Sequence, residues 1–236
     1  RLKKAISDNN FSAVYREYPF LDESGRCLWF EKYPNQAAID KRRESIGYES
    51  SWQREYLLKI IPEDDAVILR DWITYYDKLP EDNKNFRYIV TGIDLAISQN
   101  ESADYTAMVS ARVYGYDDNL RIYILPHPVN KRLSFPDTVE AVKELSTSLE
   151  GGYPTKLFIE DVGYQRSLVE ELVRQGYPAE GVKVMGQDKR QRLTLTTHLI
   201  KSGKILFPKK GCKELIGQLV GFGYEKHDDL ADAFAI

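Results

Sequence analysis

The sequence is poor in cysteine and in long apolar runs. Cys27 and Cys212 are the only cysteines among 236 residues. This scarcity argues for a reducing compartment, and against a disulfide framework or a cysteine-based zinc site. No apolar run approaches the roughly 18 residues that a membrane span needs. The opening residues, RLKKAISDNN, also lack the apolar core of a signal peptide. We therefore expect no membrane partner.

A basic excess, which is common in nucleic-acid-binding proteins, is also lacking, since the net charge is −3 at pH 7. Net charge is a weak test where charges are segregated along a chain. Acidic residues cluster at 62–65, 160–165 and 227–229, and the clearest basic group is QDKRQR at 187–192. A domain with an acidic metal pocket beside a basic phosphate-binding rim would have such a composition. Charge therefore leaves nucleic-acid binding open.

Two regions of different character follow one another along the chain. Residues 1–82 are irregular and rich in aromatic side chains, with a helical stretch expected within 37–61. The polar segment LPEDNKN, at 79–85, is typical of a linker. We therefore predict one region over 1–82 and a separate domain over 83–236. Arg1 stands where an initiator methionine would, which indicates a piece of a longer protein.

Hydrophobic periodicity predicts a mixed sheet in the second region. Three strands, at 88–93, 105–114 and 120–125, follow one another with short turns between them. Helical patterns then alternate with short buried strands. The helices are predicted at 139–149, 168–173 and 188–202, around 215–219 and from 228 to the end; the strands are predicted at 156–160, 181–186 and 204–207. This order is typical of an α/β fold in which three antiparallel strands precede parallel ones, with helices on the faces.

Acidic side chains recur at the ends of these predicted elements: Asp94, Asp104, Glu160, Asp161, Asp228, Asp229 and Asp232. Each one alone fits ordinary turn or helix-capping chemistry. The strands that end at Asp94 and Glu160 are expected to be central and parallel, so that these two side chains would lie together. With Asp229 nearby, the carboxylates would repel one another in a dry pocket. Because oxygen ligands suit Mg²⁺ or Mn²⁺, we predict a divalent metal site.

Four motifs resemble the nuclease domain of phage terminase large subunits. They are GIDLA at 92–96, FIEDVGYQ at 158–165, DKRQRL with IKSGKILFP within 188–208, and HDDLADAFA at 227–235. The resemblance covers residues 86–236 and implies a ribonuclease H-like fold. Residues 1–82 are similar to the stretch that joins the packaging ATPase to its nuclease.

One element of a full terminase is missing from this sequence. The phosphate-binding pattern G-x-x-x-x-G-K-[ST] does not occur, since SGKI at 202–205 has His198 in place of the first glycine and Ile205 in place of the hydroxyl residue. The sequence therefore has no packaging ATPase motif.

The resemblance implies a DNA endonuclease that cuts concatemeric viral DNA during packaging in the host cytoplasm. It implies Asp94, Glu160 and Asp229 as catalytic, metal-binding acids, with Asp228 as a further ligand. Two Mg²⁺ or Mn²⁺ ions would act in the active complex. Implied partners are double-stranded DNA, the portal and the small terminase subunit. Some members of the family have aspartate where this chain has Glu160, so the choice between Glu160 and Asp161 stays open.

Other residues are candidates for supporting roles. Lys189, Arg190 and Arg192 open a basic helix and are predicted to contact DNA phosphates, the alternative being a solvated helix face. Accessory roles at the acidic site are predicted for Asp104, Asp161, Asp232 and His227. Two rival functions remain at this point. One is a ribonuclease H-like resolvase or integrase-type nuclease, and the other is a non-catalytic module that binds DNA or the portal.

Overall fold

The structure, a computed structural model, describes residues 16, 18–22, 25–46, 51–58, 66–81, 84–95, 105–149, 155–161, 163, 165–183, 188–223 and 227–236. The chain divides into two compact units, Arg1–Pro62 and Glu63–Ile236. This division falls earlier than the predicted boundary at residue 82, because a strand at Thr74–Tyr76 belongs to the sheet of the second unit. The role predicted for residues 1–82 stays a prediction.

The first unit contains a small aromatic core. Helix α1 spans Gln36–Ile46, and a π-helical turn spans Trp52–Tyr56. Helical structure expected within 37–61 is thus present in both segments. Phe20, Ile39 and Trp52 are buried together. The rings of Trp52 and Tyr56 stack with centroids 4.8 Å apart, which supplies apolar contact area in a unit that has few other buried side chains among its described residues.

Eight strands form one mixed sheet in the described part of the second unit. Their bounds are β1 Thr74–Tyr76, β2 Phe86–Asp94, β3 Thr106–Tyr114, β4 Arg121–Ile124, β5 Val129–Lys131, β6 Thr155–Glu160, β7 Ala179–Val182 and β8 Ile205–Pro208. The order across the sheet is β1-β8-β4-β3-β2-β6-β7, and β5 pairs with β3. Strands β2, β3 and β4 are antiparallel, whereas β6 and β7 continue parallel to β2. The predicted mixed sheet is confirmed.

Helices cover both faces of this sheet. Their bounds are α2 Phe135–Leu149, α3 Gln165–Arg174, α4 Lys189–Lys201, α5 Lys213–Val220 and α6 Asp229–Ala235, with short 3₁₀ turns at Arg70–Trp72 and Asp117–Asn119. Side chains of α2 and α3 pack on one face of the sheet and those of α4, α5 and α6 on the other. Strand alternation explains the two cores, since Val109 and Ala111 of β3 face α4–α6 while Met108 faces α2 and α3. No described helix is long and apolar enough to cross a membrane.

The sheet differs in detail from the sequence prediction. Strands β1 and β5 were not predicted, because three residues are too few to show an alternating pattern. Strand β7 begins before the predicted strand at 181–186, and residues 184–187 lie outside the described residues. Asp104 also lies outside them.

Candidate active site

Two acidic side chains end adjacent parallel strands. Asp94 is the last residue of β2, and Glu160 is the last residue of β6. The register pairs Ile93 with Ile159, so the two acids follow at the same edge of the sheet. Alternation places both side chains on the face covered by α6, because Gly92 of β2 lies against α6 on that face and is paired with Phe158 of β6.

Helix α6 brings more carboxylates to this edge. Asp228 precedes the helix, Asp229 is its first residue, and Asp232 follows one turn later. Asp229 and Asp232 are buried. The backbone N–H of Tyr105, just before β3, donates a hydrogen bond of 3.2 Å to Oδ1 of Asp229. This contact ties the start of α6 to the sheet.

A glycine allows α6 to approach the sheet so closely. A Cβ atom added at Gly92 would lie 2.1 Å from the carbonyl oxygen of Ala233 in α6, a distance that no real Cβ contact shows. Any larger residue would push the helix away from β2, and Asp229 and Asp232 away from Asp94. An isolated glycine within a strand pattern is the sequence signal for such an approach.

A buried glutamine holds the start of α6. Oε1 of Gln218 in α5 accepts hydrogen bonds from the backbone N–H groups of Leu230, at 2.8 Å, and Ala231, at 3.2 Å. These N–H groups lie in the first turn of α6, where no intrahelical partner exists. Sequence reasoning missed Gln218, since no local pattern relates it to α6.

Two cations of α4 contact the carboxylates. Nζ of Lys189 lies 3.1 Å from Oδ1 of Asp228 and also contacts Oδ2 of Asp232. The guanidinium of Arg192 is buried, with Nη1 at 3.5 Å from Glu160 and Nη2 at 3.7 Å from Asp232. Of the three basic residues predicted to contact DNA, Lys189 and Arg192 therefore face the acids in this structure, while Arg190 is exposed. The predicted phosphate contacts stay a prediction.

The carboxylates perturb one another's ionisation. The pKa of Asp94 is raised to about 7, first by burial and next by the charge of Asp232. Asp229 and Glu160 raise it further, whereas Lys189 opposes the shift. Burial also raises the pKa of Asp232 to about 6, against the lowering effect of Lys189. Burial together with neighbouring negative charge thus makes ionisation of Asp94 and Asp232 unfavourable at this site.

For Lys189, burial lowers the pKa, but hydrogen bonding and charge at Asp232 and Asp228 outweigh it and raise the pKa. The lysine is therefore a permanent cation at the site.

The remaining predicted accessory residues lie in different places. Nδ1 of His227 is 3.9 Å from Oδ2 of Asp229, so the histidine borders the cluster. Asp161 follows Glu160 and therefore points to the other side of the sheet, where it lies 3.4 Å from Nε of Arg166. Its Cβ would be 3.2 Å from a Cβ added at Gly181. Of the two acids at the end of β6, Glu160 lies on the same face of the sheet as Asp94.

The donor chemistry of the cluster fits a hard divalent cation. Its acids supply carboxylate oxygens, the ligands that Mg²⁺ and Mn²⁺ prefer. Within the described ranges, however, no group of three or more histidine, cysteine, aspartate or glutamate side chains is arranged to hold a metal ion. The cations that face the acids in this structure are Lys189 and Arg192. The residues fit a divalent metal by ligand type and negative charge, whereas their arrangement in this structure is that of acids paired with Lys189 and Arg192.

Comparison with known proteins places this fold in a family. A family model described as "Terminase RNaseH-like domain" matches residues 91–236. No match was found among curated proteins. Among solved structures, the large terminase nuclease from thermophilic phage G20c with bound magnesium is similar, with 17% identity and a TM-score of 0.54 over 74% of this chain and 96% of that one. The cobalt-bound form of that nuclease has 16% identity and a TM-score of 0.51 over the same shares.

A structure from a different virus has the same fold. The human cytomegalovirus terminase nuclease domain, described as Mn soaked and inhibitor bound, has 16% identity and a TM-score of 0.50 over 70% of this chain and 88% of that one. At these identities the likeness shows the fold alone. Because the family model covers more than half of the sequence, the chain belongs to the terminase RNaseH-like domain family.

Proposed function

We propose that the chain is a metal-dependent DNA endonuclease that cuts concatemeric viral DNA during genome packaging. The observation that carries this proposal is the convergence of Asp94, Glu160 and Asp229 at one sheet edge. They come from β2, β6 and α6, which are far apart in sequence. Burial first, and repulsion by neighbouring carboxylates second, raise the pKa of Asp94 and make its ionised form unfavourable for folding, so a purely structural role explains the cluster poorly.

Four acidic residues of the chain would hold the metal ions. Asp94, Glu160 and Asp229 would hold two Mg²⁺ or Mn²⁺ ions, with Asp228 as a further ligand. When bound, the metal would supply the positive charge that activates water and stabilises the leaving oxygen of a phosphodiester. The similar G20c nuclease has been solved with bound magnesium and with bound cobalt, which supports a divalent cation in general.

Other residues would orient this site. The buried Arg192 contacts Glu160 and Asp232 and would keep the strand end and α6 in register. His227 borders Asp229 and would orient that carboxylate. Arg190, exposed at the start of α4, would contact the DNA backbone without reading its sequence.

The biological setting follows from the family. We propose double-stranded DNA as substrate, the portal and the small terminase subunit as partners, and the host cytoplasm as the place of action. Residues 1–82 would join this nuclease to a packaging ATPase region that lies outside this sequence. Membership of the terminase RNaseH-like domain family, over residues 91–236, supports a DNA substrate and packaging partners in general.

A plasmid-cleavage assay tests the proposal. Supercoiled plasmid is incubated with the chain in millimolar Mn²⁺, in Mg²⁺ and in EDTA, and nicked and linear products are measured. We expect cleavage with metal, none in EDTA, little sequence preference and no effect of ATP. Asp94→Asn should reduce cleavage by orders of magnitude, whereas Asp71→Asn, at an exposed 3₁₀ turn, should not.

The same assay separates the rival functions. Strong preference for a four-way junction over linear duplex would indicate a resolvase. DNA binding without cleavage in any metal would indicate a non-catalytic module and would refute the proposal.

A further inference from the structure

Lys189 is much more exposed to solvent than the buried carboxylate that it contacts. Its Nζ contacts Asp228, at 3.1 Å, and Asp232, although 53% of the lysine side chain is exposed. Asp232, in contrast, is almost fully buried, with 3% of its side chain exposed. The ammonium of Lys189, which is accessible to solvent, thus pairs with the buried carboxylate of Asp232. The lysine stem is flexible and its ammonium is a compact point charge, so this contact can open while the fold stays intact.

Arg192 provides the contrast within the same helix. Only 8% of the surface of Arg192 is exposed to solvent, and its guanidinium lies between Glu160 and Asp232. Among the described residues, Nε and Nη1 of Arg192 are buried without a hydrogen-bond partner. A buried guanidinium cannot leave such a place unless α4 moves. Of the two cations, Lys189 is therefore the displaceable one.

We propose that Lys189 is a resident cation that occupies the Asp228–Asp232 end of the candidate active site and must be expelled when a divalent metal ion binds. This inference rests on the proposed metal-dependent function. An ammonium held against these carboxylates opposes the binding of a metal ion to them, because the two cations repel each other at short range and share the same negative charge. Competition of this kind accounts for a site that has suitable acids but, in the described residues, no group of three arranged around a metal.

Expulsion has a consequence for substrate binding. The released ammonium remains at the sheet edge on a long, half-exposed stem, next to the exposed Arg190. There it becomes available for the phosphate contact that the sequence predicts. When the metal binds, Lys189 would therefore lose its contacts with Asp228 and Asp232 and contact a DNA phosphate instead.

Mn²⁺ binding to the DNA-free chain tests this competition without any measurement of cleavage. Free Mn²⁺ is measured by electron paramagnetic resonance during titration of wild type, Lys189→Gln and Lys209→Gln. We expect Lys189→Gln to bind Mn²⁺ about tenfold more tightly than wild type, because a competing unit charge is removed. Lys209 is the matched control, since its Nζ pairs with Asp77 at 2.7 Å after strands β8 and β1, which β3 and β4 separate from β2. Lys209→Gln should bind Mn²⁺ as wild type does.

Several outcomes separate this inference from the function on which it rests. If wild type binds Mn²⁺ and the folded Lys189→Gln variant binds it equally or more weakly, Lys189 does not compete and the inference is wrong. If neither wild type nor any variant binds Mn²⁺, the proposed function fails and the inference with it. Tighter binding by Lys189→Gln, with Lys189→Arg similar to wild type, supports both.

A second measurement does not depend on a variant that folds. The side-chain ammonium of Lys189 is followed by NMR in wild type while diamagnetic Mg²⁺ is added. We expect its signal to shift and its protection from solvent exchange to fall, because the contacts to Asp228 and Asp232 are lost. An ammonium signal that is unchanged at saturating Mg²⁺ would overturn the inference.

Discussion

Replacement of Asp94 by asparagine should stabilise the metal-free chain while it abolishes function. The substitution keeps the shape of the side chain and removes its charge. The pKa of Asp94 is about 7 against an ordinary value of 3.8, and each unit corresponds to about 1.4 kcal/mol. Ionised Asp94 therefore costs the folded state at most about 4 kcal/mol. We expect Asp94→Asn to raise the free energy of unfolding by about 1–4 kcal/mol at pH 8 in EDTA.

The sign of the pH dependence makes this prediction specific. Because the pKa of Asp94 is raised on folding, its favourable contribution is present below pH about 4 and is lost as pH rises through about 7. The stability difference between Asp94→Asn and wild type should therefore be near zero at pH 4, grow up to pH 7 and then level off. The raised pKa of Asp232 affects both proteins in the same direction and largely cancels in the difference.

Urea denaturation followed by circular dichroism at pH 4, 6 and 8 measures this difference. Asp71→Asn, at an exposed position, is the control and should show no such pH-dependent gain. Saturating Mn²⁺ should stabilise wild type more than Asp94→Asn, because binding to the folded state adds to its stability. If Asp94→Asn is less stable than wild type at pH 8, or unfolds the chain, Asp94 is a structural cap and the electrostatic reasoning is wrong.

Three further substitutions test the scaffold and the rim of the site. Gly92→Ala should lower the free energy of unfolding by about 3 kcal/mol or more, because its Cβ would collide with the carbonyl of Ala233, and unchanged urea denaturation would contradict the close approach. Gln218→Leu should cost about 2–4 kcal/mol by the same measurement, since two buried N–H groups at the start of α6 lose their acceptor, whereas a neutral result would mean that water replaces it. Arg190→Ala should weaken DNA binding uniformly across sequences and reduce the slope of log affinity against log salt by about one, and an unchanged slope would place Arg190 on a solvated helix face.

Much of the fold could be predicted because burial leaves a periodic trace in the sequence. Strands β2, β3, β4 and β6 have apolar or alternating patterns long enough to recognise, and the predicted parallel pairing of β2 with β6 is confirmed. The short strands β1 and β5 were not predicted, since their position depends on pairing with strands that are distant in sequence. The edge strand β1 also explains why the second unit begins before the predicted boundary at residue 82.

The candidate site was predictable in part, for a different reason. Asp94, Glu160 and the acids of α6 stand at element ends within recognisable motifs, so their meeting at one edge followed from topology. Their catalytic and metal-binding roles stay predictions. The choice between Glu160 and Asp161 was open in the sequence, and strand alternation now puts Glu160 on the face of Asp94.

The partners of these acids were decided by tertiary structure alone. A basic helix start such as that of α4 looks alike whether its side chains face DNA, solvent or protein. Only the packing of α4 against α6 buries Arg192 and brings Lys189 to Asp228 and Asp232. The sequence by itself determined which elements form and which carboxylates end them, because those properties depend on near neighbours. Ion pairs and caps across the fold, such as that of Gln218, depend on the angle and distance at which separate elements pack, and no local pattern records these.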